Sequence, residues 1–364
     1  MKLKIFADKK YLLNQPNVRP NPMLLPFWAD FAETGYYSWM KNYDRYSNIA
    51  NTLFEMVSLE EADIAVMPDD WRTVVGELWY ANQNKLADSL YRQFAEKVAQ
   101  ANKKLVVFFG GDRSDEPVNL PNKDMLVFRY SYYRSQQKEN NFVWPVFCED
   151  LVEHYLANQL SIRQKSAKPV VGFCGLVKPS NWKTNLKKLS YYGYMLSRYR
   201  RLGYPPIQGH ILREKVIKNF KKSNLVTTNF LVRESMVFLG QKNLVDMAKL
   251  RVEFIDNMIN SDYIVCCRGA GNYSNRLFET LCLGRIPIFI DTDCVLPYNF
   301  TIDWKKYCVW IEEKEIDRIA EKVAEFHQNL SEEDFVNLQH ECRRFWKEWL
   351  SAEGFYSNFN LHLP

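Results

Sequence analysis

Residues 261–310 read SDYIVCCRGAGNYSNRLFETLCLGRIPIFIDTDCVLPYNFTIDWKKYCVW. The run YIVCC at 263–267 is short and apolar, and such a run bounded by turn residues predicts a buried strand. It stops at Arg268-Gly269-Ala270-Gly271, where two glycines let the backbone pass close to another group. Ser274 and Asn275 then supply N-cap chemistry for a helix over 275–283, which Gly284-Arg285 end. IPIFI at 286–290 is the next strand. Strand, turn, helix and strand in this order form the repeating unit of a parallel sheet, so the stretch predicts an α/β fold.

The same alternation extends in both directions. Upstream, PVVGFCG at 169–175 predicts a strand, 183–200 a helix, 207–210 a short strand and 245–258 a helix. Downstream, helices are predicted at 315–326 and 332–350. Ser331 caps the second, whose Phe335, Leu338, Cys342, Phe345 and Trp349 form an apolar stripe. The first half repeats the scheme, with strands at 3–7, 62–67, 105–109 and 125–130. A helix at 82–100 carries Leu86, Leu90, Phe94 and Val98 on one stripe. A polar stretch at 151–168 separates the halves. The chain has 364 residues, more than one ordinary core accommodates. The prediction is two Rossmann-like domains, 1–155 and 165–335, facing a cleft, with a terminal helix at about 340–364 packing back on the first. Ligands of open parallel sheets bind at the carboxyl ends of the strands.

Hydrophobic residues make up 47% and charged residues 25%, a globular balance. A net charge of +5 is too small for the size to indicate nucleic acid. The basic stretches 183–201 and 215–222 carry Leu, Tyr and Phe at helical spacing. They read first as solvated helix faces, and second as surfaces attracting phosphates or an anionic membrane. The eight cysteines form no CxxC pair, which argues against zinc and for reduced thiols. Residues 1–10 lack a signal-peptide core, and no apolar run reaches the length of a membrane span. A soluble, cytoplasmic protein is expected, with peripheral contact at an inner membrane face.

Chemistry concentrates where the quoted stretch turns into helix. Helix-start amides, the Ser274 hydroxyl and the guanidiniums of Arg268 and Arg276, flanked by Gly269 and Asn275, suit a diphosphate. Glu279, one turn further, suits the hydroxyls of a ribose. Arg233 is a candidate third cation; its plainer reading is an ion pair with Glu234 or Glu253. His210, shortly before Arg213, reads as a phosphate contact or as a structural histidine. The segment is neither a GxGxxG fingerprint nor a Walker loop. Its plainer reading is a capped helix whose Arg and Glu make surface ion pairs.

Cys266 to Gly269, Ser274 to Arg276, Phe278-Glu279, Gly284 to Pro287 and Leu296-Pro297 resemble the C-terminal signature of exostosin-like glycosyltransferases. Asp303-Trp304, Tyr307 and Ile311 fit the same signature, which covers roughly 252–319. The likeness is looser over 169–240 and is confined to general layout in the first 150 residues, where EADIAVMPDDW fits. The resemblance implies a GT-B fold, an inverting mechanism and a nucleotide-sugar donor, UDP-sugar foremost, with no further cofactor. It implies that Glu279 meets the ribose, and that Arg268, Ser274 and Arg276 meet diphosphate or base. The acceptor is expected to be an oligosaccharide or a lipid-linked glycan, in bacterial polysaccharide synthesis.

Inverting transfer needs a base for the acceptor hydroxyl and positive charge for the departing diphosphate. Candidate bases follow strand ends in the first half: Asp112 foremost, then Asp69 and Asp70, with Glu33 near Asp30 as another. Each also reads as a turn-capping carboxylate. Asp291-Thr292-Asp293 spells a metal-binding DxD and is the rival within the sequence; no metal is expected. Two other functions compete: a fucosyltransferase-like enzyme using a GDP-sugar, and a nucleotide- or sugar-binding protein without catalysis.

Overall fold

The computed structural model describes residues 2–15, 18, 20–28, 41–76, 83–177, parts of 182–193, 208–233 and 244–363. The chain divides into two compact units. Unit 1 comprises residues 1–149, 293–302 and 347–364; unit 2 comprises 150–292 and 303–346. The stretch 293–302, inside the predicted second domain, thus groups with unit 1, as does the C-terminal segment from 347 onward.

Among the described residues, unit 1 holds six strands: β1 (Leu3–Phe6), β2 (Phe54–Met56), β3 (Ile64–Val66), β4 (Lys104–Phe109), β5 (Met125–Arg129) and β6 (Asn141–Val143). They form one sheet in the order β2-β1-β3-β4-β5-β6, and all pairings are parallel. The pleat of β4 shows why its apolar run is unbroken. Val106 and Phe108 join one core with α1 (Asp44–Leu53) and the C-terminal Phe355, Tyr356 and Phe359. Leu105, Val107 and Phe109 join the other with Tyr91, Phe94 and Val98 of α2 (Lys85–Gln100). A parallel strand covered on both faces has no solvent side to give to polar residues.

Unit 2 holds β7 (Val170–Leu176), β8 (Thr227–Arg233), β9 (Tyr263–Cys266), β10 (Ile286–Asp291) and β11 (Val309–Glu312). Their order is β11-β10-β9-β7-β8, again all parallel. The helices around it are α3 (Gln208–Lys222), α4 (Leu244–Ile259), α5 (Asn275–Cys282), α6 (Ile319–Asn329) and α7 (Glu332–Phe345). From β7 the chain runs to β8 on one side and then crosses back to β9 on the other. The gap between the carboxyl ends of β7 and β9 is therefore the topological switch point, where open α/β sheets place ligands.

Two α/β units of parallel strands agree with the fold class read from the sequence. Several elements differ. Residues 208–210 open α3 instead of forming a strand, because Leu212, Val216, Ile217 and Phe220 bury one helical face; Ile207 lies outside the described residues. In α2 the buried stripe is Ala87, Tyr91, Phe94, Ala95 and Val98, while Leu86 is exposed. The last long helix ends at Phe345 and not at Leu350; a wider turn at Trp346–Leu350 and α8 (Ala352–Ser357) follow. Ser331 caps α7 in a full capping box with Asp334. The predicted helix over 183–200 falls largely outside the described residues.

Candidate nucleotide-binding site

The site is built around Arg276, in the first turn of α5. One Nη donates to the Cys174 carbonyl at the end of β7 (2.6 Å) and the other toward the Val265 carbonyl of β9 (3.4 Å). One guanidinium thus spans the switch point of the sheet. Gly175 makes this approach feasible, since a Cβ there would stand 2.8 Å from the Arg276 Nη. Aromatic faces flank the cation, with Phe173 4.6 Å and Phe254 5.5 Å from it. Burial, and next the nearby positive charge of Arg213, pull the Arg276 pKa below its ordinary value.

Arg213 enters from α3. Its Nη reaches the Cys267 carbonyl at 3.5 Å. The helix lies close because Gly209 packs on the 268–269 backbone, where a Cβ would fall 2.2 Å from the Gly269 carbonyl oxygen. Among the described residues, neither Arg213 nor Arg276 bonds a carboxylate, and the Nε of each is buried without an acceptor. Two guanidiniums that repel each other, with donors to spare and no counter-charge bonded to either, form a receptor for an anion.

The remaining predicted residues fall as follows. Arg268 is buried and donates to the Asn272 side chain (3.2 Å) and the Ala270 carbonyl (3.1 Å). It stiffens its own turn. Asn272 in turn accepts from the Thr292 hydroxyl at 2.6 Å, tying the turn to the end of β10. The Gly269 amide donates to the Tyr273 carbonyl. Ser274 occupies the N-cap position of α5 with extended backbone, but its hydroxyl makes no capping bond. Asn275 follows, exposed. Glu279 lies on the next turn and bonds Arg251 of α4 at 2.6 Å. Arg233, opposite Leu176 in the β7–β8 register, forms an ion pair with Glu253; Glu234 lies outside the described residues. His210 stands in the first turn of α3. Cys174 lies at the same edge; burial raises its thiol pKa, and Arg233 and Arg276 oppose that shift.

The acids of unit 1 sit at the carboxyl ends of β3 and β4. Asp69 is buried, accepts from the Tyr91 hydroxyl and from the Asp70 amide, and its pKa is pushed up to about 6, mainly by burial. Asp70 accepts from the Gly110 amide (3.0 Å) and the Arg72 amide (2.8 Å), and burial raises its pKa too. Asp112 is half-buried in the turn after β4. Asp30 and Glu33 lie outside the described residues. Of the DxD letters, Asp293 accepts from the Ser135 amide and hydroxyl and faces Arg134 at 3.8 Å. Asp291 ends β10 beside Glu312. Among the described residues no three His, Cys, Asp or Glu are grouped as metal ligands, and no helix is long and apolar enough to cross a membrane.

Sequence reasoning passed over three contributors. Arg213 was legible as a neighbour of His210 but not as a cation facing Arg276. Arg251 and Phe254 stand at i and i+3 on α4, a spacing that places them on one face. The signal was there, but it needed the packing of α4 to show its use.

Residues 205–326 match the Exostosin GT47 domain. Among curated proteins the chain is 26% identical to "Exostosin-1" of Drosophila melanogaster over 102 residues, 28% of this chain and 13% of that protein. It is 32% identical over 66 residues to a "Probable glucuronosyltransferase" of Oryza sativa subsp. japonica, 18% of this chain and 16% of the relative. It is 35% identical over 63 residues to "Probable glucuronosyltransferase 47 A" of Physcomitrium patens, 17% of this chain and 14% of the relative. The chain thus spans between 13% and 16% of the length of these relatives. The matched domain encloses α3, β8, α4, β9, α5 and β10, so it contains Arg213, Arg233, Arg251, Arg268, Arg276 and Glu279. The likeness to exostosin-like glycosyltransferases thus lies in unit 2, over the segment that carries the candidate site.

Proposed function

We propose that the chain is an inverting, metal-independent glycosyltransferase that takes a sugar from a nucleotide-sugar, UDP-sugar foremost, and passes it to a glycan acceptor in polysaccharide synthesis. The observation that carries this reading is the pair Arg213 and Arg276 at the switch point, two guanidiniums with spare donors and no bonded carboxylate among the described residues. A departing nucleoside diphosphate carries the charge that such a site lacks. Arg268, Gly269, Ser274 and Asn275 shape the turn around it, and Glu279 offers a carboxylate to the ribose.

The residues then divide the work. Arg213 and Arg276 stabilise the diphosphate as the anomeric bond breaks; fixed cations in a partly dry site need no reorganisation for that step. The acceptor hydroxyl attacks the anomeric carbon in line and loses its proton to a carboxylate. Asp112 is the first assignment for that base. Asp69 and Asp70, which follow β3, rank behind it. Asp293 is taken up by Ser135 and Arg134, which supports a mechanism that does without a DxD-bound metal. The acceptor is proposed to be an oligosaccharide or a lipid-linked glycan. For peripheral membrane contact the support is the exposure of Trp182, Leu186 and Leu189, beside exposed Lys183 and Lys187.

Release of nucleoside diphosphate from a panel of nucleotide-sugars tests the activity. Calorimetry with UDP and with GDP decides between the UDP-sugar reading and the fucosyltransferase-like one. No binding of either would refute donor use altogether. Binding without release from any donor would favour a non-catalytic protein. Turnover abolished by excess EDTA and restored by manganese would overturn metal independence.

A further inference from the structure

We propose that Arg251 is a positioning residue that presents Glu279 and so sets how strongly the site reads the sugar of a nucleoside diphosphate. The proposal rests on the nucleotide-donor reading proposed above. Glu279 stands one turn after Arg276 on α5, with its side chain only 13% exposed. Its partner among the described residues is Arg251, whose Nη1 donates to Oε1 at 2.6 Å. The second oxygen, Oε2, bonds no described residue.

A glutamate has three rotatable bonds, and in a half-buried setting an ionised one is stable only with a donor beside it. Arg251 supplies that donor and, by holding Oε1, leaves Oε2 as the acceptor for a hydroxyl. The clamp is itself held. Phe254, one turn along α4, lies 5.6 Å from the Arg251 guanidinium and 5.5 Å from that of Arg276. One aromatic ring therefore spaces the cation that would meet phosphate from the cation that holds the carboxylate. The distance between phosphate-reading and ribose-reading groups is fixed by one face of α4.

The test is isothermal calorimetry with UDP, 2′-deoxy-UDP and 3′-deoxy-UDP on the full chain and on R251M, R251K and E279Q. A charge-assisted hydrogen bond to one hydroxyl predicts that the full chain prefers UDP over at least one deoxy analogue by about tenfold. R251M should bind that analogue as the parent chain does while losing its preference for UDP. R251K, which keeps the charge, should restore part of the preference, and E279Q should lose it. A merely structural role for Arg251 would lower the affinity for all three ligands together and leave the ratio intact; that result overturns the proposal while the nucleotide reading stands. If R251M does not fold, the comparison falls to R251K, and a parental ratio in R251K together with a lost one in E279Q rejects the assignment. Failure of the parent chain to bind any of the three removes the nucleotide reading, and this proposal with it.

Discussion

At the carboxyl ends of β3 and β4 the first unit gathers carboxylates: Asp69, Asp70 and Asp112. At the carboxyl ends of β7 and β9 the second gathers guanidiniums: Arg213, Arg251, Arg268 and Arg276. Both sheets are parallel and both reverse strand order next to their first strand, so the fold offers each the same place for a ligand. The difference lies in how the charges are satisfied. Asp69 and Asp70 are bonded by Tyr91 and by backbone amides. Arg268 is spent on its own turn and Arg251 on Glu279. Among the described residues, Arg213 and Arg276 hydrogen-bond carbonyl oxygens and no carboxylate. Charge by itself does not set a candidate site apart in either unit; in the second, the candidates are the two guanidiniums that bond no carboxylate among the described residues.

The largest effect that this contrast predicts belongs to the proposed base. D112N should lower turnover by roughly 10²–10⁴-fold, the range for losing a positioned general base, with UDP affinity in calorimetry unchanged. Near-parental turnover would return Asp112 to turn-capping and move the search to Asp70. R276M should come next. Loss of the cation that spans β7 and β9 should cost roughly 10²–10³-fold in turnover and should weaken UDP binding as well. The two variants thus separate the units by their readouts: turnover alone for the acidic edge, turnover and binding together for the cationic one. R276M that binds UDP like the parent chain would break the contrast.

Much of this was legible beforehand, and for physical reasons. Buried parallel strands announce themselves as unbroken apolar runs, so LVVFF and IPIFI were found to within a residue. Short edge strands carry no such run. The three residues of β2 and of β6, and the half-exposed β8, are defined by pairing with a neighbour that no single sequence displays. In α2 the stripe was displaced by one position, because Leu86 looks apolar while Ala87 and Tyr91 are the residues that reach the core. The candidate site was half legible. Arg276 and Glu279 stand in a signature and on one helix turn, whereas Arg213 and Arg251 arrive from helices 62 and 24 positions upstream of α5's first residue. Arg285 shows the opposite case. It belongs to the signature, yet it is wholly buried and donates to Ser161, Ile259 and Gln339, a structural knot and not a ligand contact.

The next prediction sharpens the acidic side. Burial holds the Asp69 pKa at about 6, above the ordinary 3.8. The folded state therefore binds that proton more tightly than the unfolded chain, and stability falls as pH rises from about 4 to about 6. His362, ringed by Phe128, Phe142, Tyr298 and Phe355, is held at about 4, below its ordinary 6.5. There the unfolded chain takes the proton first, so stability is lost as pH falls from about 6.5 to about 4. Both groups belong to unit 1, each contributes about 3 kcal/mol, and the two slopes oppose each other. Denaturant melts between pH 4 and 6 should show the two slopes partly cancelling in the parent chain, with the raised Asp70 carboxyl adding to the Asp69 side. D69N should leave stability rising with pH, and H362L should leave it falling. The same sign in both variants would show that burial does not set these charges.

The smallest expected effect concerns Arg233, at the same sheet edge as Arg276 but paired with Glu253, whose side chain is 48% exposed. If an unmet charge is what makes a site, R233A should lower UDP affinity by less than about tenfold, because its charge is already answered and the pair is open to solvent screening. E253Q then becomes the sharper probe. Freeing Arg233 from its carboxylate while leaving the guanidinium in place should raise UDP affinity slightly, and the gain should shrink as salt is added. A loss of affinity in E253Q, or a loss in R233A as large as in R276M, would mean that Arg233 meets the ligand despite its partner. Pairing with a carboxylate would then no longer separate the structural arginines of this edge from those that bind.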